Sequence, residues 1–84
     1  MTTRILIAED SAAMRAFIAS ALESLGDCEV VEASSGFEAI KRLPTRKFDL
    51  IITDVNMPDI NGLELISFVK NNEAYKTIPV LVVR

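Results

Sequence analysis

Histidine is missing from this chain of 84 residues, and cysteine occurs once, as Cys28. Without histidine there is no imidazole to act as general base or to ligate a metal. A lone cysteine excludes an internal disulfide and a multi-cysteine zinc centre. Long hydrophobic runs are missing too: none approaches the roughly 20 residues that span a bilayer. The leading residues Met1-Thr2-Thr3-Arg4 pass straight into a short apolar segment with no signal-peptide core. Cytoplasmic location is therefore the expectation, with no membrane partner. Positive charge is in deficit, with nine Lys and Arg against twelve Asp and Glu and a net charge of -3. The densest basic spots, Lys41-Arg42 and Arg46-Lys47, read as a solvated helix end and a loop, so nothing favours nucleic-acid binding. Repeats, linkers and low-complexity tracts are also absent, which leaves one small domain over residues 1–84.

What is present is a rich apolar content, 50% of the chain, which argues against disorder. Short apolar runs alternate with helical periodicity. Arg4 to Ala8 reads as a first strand. Ser11 is placed to cap a helix carrying Met14, Phe17, Ile18, Ala21, Leu22 and Leu25 at helical spacing, with Gly26 as its stop. Glu29 to Ala33 is a second strand. Ser35-Gly36-Phe37-Glu38 has the form of a capping box opening a second helix, which turns Phe37, Ile40 and Leu43 inward and stops at Pro44. Phe48 to Thr53 is a third strand, and Val55 to Asn61 a loop. Asn61 caps a third helix from Gly62 to about Asn71, and Ile78 to Val83 is a fourth strand. Met14, Phe17, Phe37, Phe48 and Phe68 are expected in or near the core. Tyr75 is expected to be partly exposed, and Cys28 to sit near the start of the second strand. Strands separated by helices require βαβ crossovers, hence an open, mostly parallel α/β sheet.

The acidic residues are not evenly spread over this pattern. Glu9-Asp10 follows Ile5-Leu6-Ile7-Ala8, and Asp54 follows Leu50-Ile51-Ile52-Thr53. Both apolar runs read as buried parallel strands with carboxylates at their carboxyl tips. Ligands of open α/β sheets bind at that end. If the two strands are neighbours, their tips lie about 5 Å apart, and three carboxylates share one cleft. Like charges so close are costly unless a proton or cation joins them. A hard divalent ion such as Mg²⁺ suits an all-oxygen site.

These residues resemble the receiver domains of two-component response regulators. Ile5-Leu6-Ile7-Ala8-Glu9-Asp10-Ser11 is similar to the family's first strand and acidic pair. Ile51-Ile52-Thr53-Asp54-Val55-Asn56-Met57-Pro58 is similar to its phosphoacceptor segment, and Gly62-Leu63-Glu64-Leu65 to the start of its third helix. Asn56, Met57-Pro58 and the Gly62 segment bring the chain closest to the stand-alone chemotaxis type. The resemblance implies a flavodoxin-like sheet with strand order 2-1-3-4-5. It implies a signalling phosphoacceptor rather than an enzyme. On that resemblance Asp54 would take a phosphoryl group from a histidine kinase with Mg²⁺ as the cofactor; Asp10, Asp54 and the Asn56 carbonyl would hold the ion, and Glu9 would act mainly through a metal-bound water. Met57-Pro58 shapes the loop, and Gly62 opens the helix without crowding it.

Two other classes fit less well. An aspartyl phosphatase needs an acid two positions after the nucleophile, where this chain has Asn56, which has no proton to give. A flavodoxin needs a Ser/Thr/Gly-rich phosphate loop after the first strand, where this chain has Glu9 and Asp10. The chain also departs from the family pattern. Receivers carry five strands and five helices over about 120 residues. Here the readable elements number about four strands and three helices, so the fold is expected to be incomplete. Arg84 stands where the family has a Thr or Ser, and the fifth-strand lysine is absent. An apolar fourth strand at a bare sheet edge is a pairing hazard. The expectation is completion by a homodimer or by a complementing chain. The alternative function is a phosphorylation-incompetent half-domain acting as a structural or self-association module.

Overall fold

A computed structural model of the chain describes residues 2–83. Met1 and Arg84 lie outside them, and with Arg84 the position expected of the family's hydroxyl. The elements are β1 (Thr3–Ala8), α1 (Ala12–Glu23), β2 (Cys28–Ala33), α2 (Gly36–Arg42), a 3₁₀ turn (Leu43–Thr45), β3 (Leu50–Asp54), α3 (Gly62–Lys70) and β4 (Val80–Val83). The strands and α-helices match their sequence expectations to within one or two residues, the ordinary play of element ends; the 3₁₀ turn, which takes Leu43 from the end of the second helix, was not expected. All four strands are parallel, in the order β2-β1-β3-β4. This is the flavodoxin-like order that the resemblance implies, as far as its fourth strand.

Two apolar layers sandwich the sheet. On one face Leu6, Ala8, Ala33 and Ile51 pack with Ala39, Leu43, Leu65 and Val69 from the α2 and α3 side. On the other Ile5, Ile7 and Ile52 pack with Ala19, with Ile18 and Leu22 at the margin. β1 is central and apolar on both faces, so its last four residues are all buried. Phe48 is buried as expected, but Met14, Phe17, Phe37 and Phe68 are exposed. Helical geometry gives the reason. On α1 the inward stripe is Arg15, Ile18, Ala19 and Leu22, which leaves Phe17, 69% exposed, on the far side. On α2 the stripe runs through Gly36, Ala39, Ile40 and Leu43, and Phe37 lies about 100° off its start. Leu25 is also exposed, because α1 ends at Glu23 and the chain turns through Gly26 at φ +78. Cys28 and Tyr75 are half-buried, where the sequence placed them.

Helix ends follow the sequence closely. The Ser11 hydroxyl accepts the Met14 amide, and Asn61 with Glu64 forms a complete capping box. At α2 the box is only half formed. Ser35 accepts the Glu38 amide, but the Glu38 carboxylate reaches the amide of Ser34 rather than that of Ser35.

Candidate acidic site at the strand tips

Register brings the acids together. Ala8 pairs with Thr53, so Glu9 and Asp54, each one residue on, are level at the carboxyl end of the sheet. One carboxylate oxygen from each of Glu9, Asp10 and Asp54 lies within 4.8 Å of the others. The three predicted acids thus converge on one point, with Glu9 buried, Asp54 half-buried and Asp10 exposed.

Local bonds hold each acid there. The Glu9 amide donates to the Ala33 carbonyl of β2 at 3.0 Å. The Glu9 carboxylate accepts the Ser11 amide at 3.0 Å. Burial pushes the Glu9 carboxyl above its usual 4.5, and the neighbouring Asp54 and Asp10 carboxylates add to the rise; the Ser11 bond opposes it. The Asp54 carboxylate accepts the Asn56 amide over a long 3.4 Å, and the buried Thr53 hydroxyl donates to the Asp54 carbonyl. Asn56 is exposed on the loop beside Asp54. Met57 is buried in the α2–α3 face of the core and pins the loop from below.

Gly62 has a steric role that its helix-start position alone does not reveal. Its amide donates to the Val55 carbonyl at 2.9 Å. A Cβ there would overlap the carbonyl oxygen of Asp54 and stand 3.0 Å from the Val55 Cα. The helix therefore starts hard against the backbone of Asp54 only because residue 62 has no side chain.

Sequence reasoning missed two residues at this end. Arg15 donates from Nη1 to the Glu9 carbonyl at 2.7 Å and from Nε to Glu32 at 3.2 Å, which ties the tip of β1 to β2. Its signal was its place on the inward stripe of α1, where an arginine needs a buried acceptor. Asp59 accepts the amides of Gly36 and Phe37, at 3.1 and 2.9 Å, from the other side of the cleft. The Phe37 amide above all, with those of Ile60 and Gly36, holds the Asp59 carboxyl down at about 2 against the opposing effect of desolvation. No local sequence pattern announces a contact across 22 or 23 residues.

The donor set is hard, anionic and all oxygen, with one carboxyl already pushed toward protonation by burial and, to a lesser degree, by its neighbours. That chemistry fits a small divalent cation. Among the described residues no helix is long and apolar enough to cross a membrane.

Comparison with known proteins agrees with this geometry. The model of the response regulator receiver domain matches residues 5–84. The chemotaxis protein CheY1 of Helicobacter pylori is 37% identical over 81 residues, covering 95% of this chain and 65% of that protein. The CAI-1 autoinducer sensor kinase/phosphatase CqsS of Vibrio cholerae is 39% identical over 79 residues, 93% of this chain but 11% of that protein. Among solved structures, the chemotaxis response regulator CheY4 of Vibrio cholerae superposes with a TM-score of 0.91 at 33% identity, over 98% of this chain and 68% of that one. This chain thus spans about two thirds of the chemotaxis proteins it matches and a small part of the sensor kinase. With its sheet order, its acidic strand tips and its sequence all in agreement, the chain belongs to the response regulator receiver domain family, in its chemotaxis-type form.

Proposed function

We propose that this domain is the phosphoacceptor of a two-component phosphorelay, taking a phosphoryl group onto Asp54 from a histidine kinase at a site that holds Mg²⁺. The observation that carries the reading is the convergence of the Glu9, Asp10 and Asp54 oxygens within 4.8 Å. Glu9, Asp10, Asp54 and the backbone carbonyl of Asn56 would hold the ion. When bound, it supplies positive charge that offsets the phosphoryl oxygens. The nucleophile is Asp54, which is half-buried and so open to a donor, whereas Glu9 is buried. An Asp54 carboxylate oxygen attacks the phosphorus of a phosphohistidine. The new P–O bond forms as the P–N bond breaks, and the electron pair stays on the imidazole nitrogen, which takes up a proton. The product is an aspartyl phosphate, a reactive acyl phosphate suited to a transient signal. The Asn56 amide faces the same carboxylate and helps to orient it.

Intact-protein mass after incubation with a small phosphodonor and Mg²⁺ tests this, beside an Asp54→Asn control. The expected result is one phosphoryl adduct that requires both Asp54 and Mg²⁺. A folded wild-type protein with no adduct overturns it.

The exposed apolar side chains on the α1 side of the sheet favour a second reading, a self-association module without phosphotransfer. Phe17 and Leu81 are 69% and 53% exposed there. That reading requires a dimer by size-exclusion chromatography with light scattering, and a monomer at high concentration rules it out.

A further inference from the structure

The two loops that build the acidic site are anchored on the two elements that flank the turn between β2 and α2. The β1–α1 loop is tied to the last residue of β2 through the Glu9 amide, which donates to the Ala33 carbonyl at 3.0 Å. The β3–α3 loop is tied to the start of α2 through Asp59, whose two carboxylate oxygens accept the Gly36 and Phe37 amides at 3.1 and 2.9 Å. These are the first two amides of α2, which have no partner within the helix. The next two are taken by Ser35, through its hydroxyl for Glu38 and its carbonyl for Ala39. The start of α2 is thus fully satisfied, half of it by a residue from a different loop. The docking is close: a Cβ on Gly36 would stand 2.6 Å from the Ile60 Cβ. Asp59 lies three residues beyond Asn56, and the buried Met57 between them leaves that stretch little slack.

We propose that Asp59 is a positioning residue of the acidic site: by clamping the β3–α3 loop to the start of α2, it sets where the Asn56 carbonyl stands relative to Glu9 and Asp10. This rests on the reading of that site as a divalent-cation site. Asp59 does not belong to the three-acid cluster, so its effect on cation affinity passes through the backbone of residues 56–59. Outer partners that orient a ligand commonly change metal affinity by about 10- to 100-fold.

The test is Mg²⁺ titration of the full chain, followed by amide chemical shifts, with the thermal midpoint measured for every variant. Asp59→Ala is expected to weaken Mg²⁺ binding by about 10-fold. Asp59→Asn keeps one acceptor oxygen and is expected to fall between Asp59→Ala and wild type. Ser35→Ala removes the cap that α2 provides for itself; it lowers the midpoint but leaves Mg²⁺ affinity unchanged. A merely structural Asp59 predicts instead that affinity in the folded variants stays at the wild-type value while the midpoint falls, and that result overturns the proposal. Asp54→Asn separates the two ideas. If wild type binds Mg²⁺, Asp54→Asn loses it and Asp59→Ala retains it in full, the cation site stands and the Asp59 proposal fails. If wild type shows no Mg²⁺ binding at Glu9, Asp10 and Asp54, both fail together.

Discussion

The two ends of the sheet treat charge in opposite ways. At the amino end Glu29 receives Arg4 at 3.0 Å and Arg46 at 2.9 Å. Asp49 accepts the Arg4 amide at 2.8 Å. The Arg46 guanidinium, foremost, holds the Glu29 carboxyl below its usual value. At the carboxyl end Glu9, Asp10 and Asp54 face one another. Arg15 at that end bonds the Glu9 carbonyl and Glu32. Burial and the neighbouring acids push the Glu9 carboxyl up. One end of a single small sheet is neutralised; the other is left with an unbalanced negative charge. The fold therefore accepts a local electrostatic cost at the proposed cation site, and compensates for it elsewhere.

The largest way to disturb the carboxyl end is to fill the space at Gly62. Gly62→Ala places a Cβ against the Asp54 carbonyl and the Val55 Cα. Overpacking of this kind costs about 1–3 kcal/mol. The expected outcome is a lower urea midpoint together with a weaker phosphoryl adduct by intact mass. An unchanged midpoint contradicts the tight packing described at that position.

Removing one of the clustered charges works in the other direction. Asp54→Asn deletes an acid facing two others, and an unscreened like-charge contact at about 4 Å is worth about 1 kcal/mol even at the dielectric of water. Without divalent cation the variant is expected to unfold several degrees higher than wild type, while losing the adduct entirely. A lower unfolding temperature means the cluster is not a source of strain.

A smaller effect appears with pH, and its sign differs between the two ends. The Glu9 carboxyl is raised above 4.5 in the folded protein, so its charge costs stability at pH 7 and the cost disappears below pH 4.5. The Glu29 carboxyl is lowered, so its charge contributes stability at pH 7 that is lost as pH falls from 4.5 through the depressed value. Glu9→Gln should therefore be more stable than wild type at neutral pH and lose that advantage in acid. Glu29→Gln should be slightly less stable at neutral pH and converge on wild type in acid. Urea midpoints at pH 7 and pH 3 check both, and matching signs for the two variants would break the comparison.

Much of this architecture was legible in the residues. β1 and β3 announced themselves as apolar runs ending in acids, and Ser11 and Asn61 marked helix starts through purely local hydrogen bonding. The convergence of Glu9, Asp10 and Asp54 followed from one further step, the adjacency of β1 and β3. The aromatic residues were not legible in the same way. Phe17 and Phe37 are as apolar as Phe48, which is buried just before β3, and only the rotation of α1 and α2 against the sheet decides that those two are exposed. Asp59 and Arg15 were missed for a related reason: their partners lie on other elements, and sequence spacing carries no information about which loops meet. Glu38 was placed correctly at the start of α2 but bonds one residue earlier than a standard box, because Ser34 offers a nearer amide.

The most direct test of the account is the thermal midpoint of wild type and of Asp54→Asn, each with and without saturating Mg²⁺. A ligand at 100 times its dissociation constant stabilises the folded state by about 2.7 kcal/mol. The account predicts a clear upward shift for wild type and little or none for Asp54→Asn, so that the two proteins exchange rank when the ion is added. Equal shifts in both proteins, or none in either, would contradict the claim that the carboxyl end of this sheet is assembled around a cation.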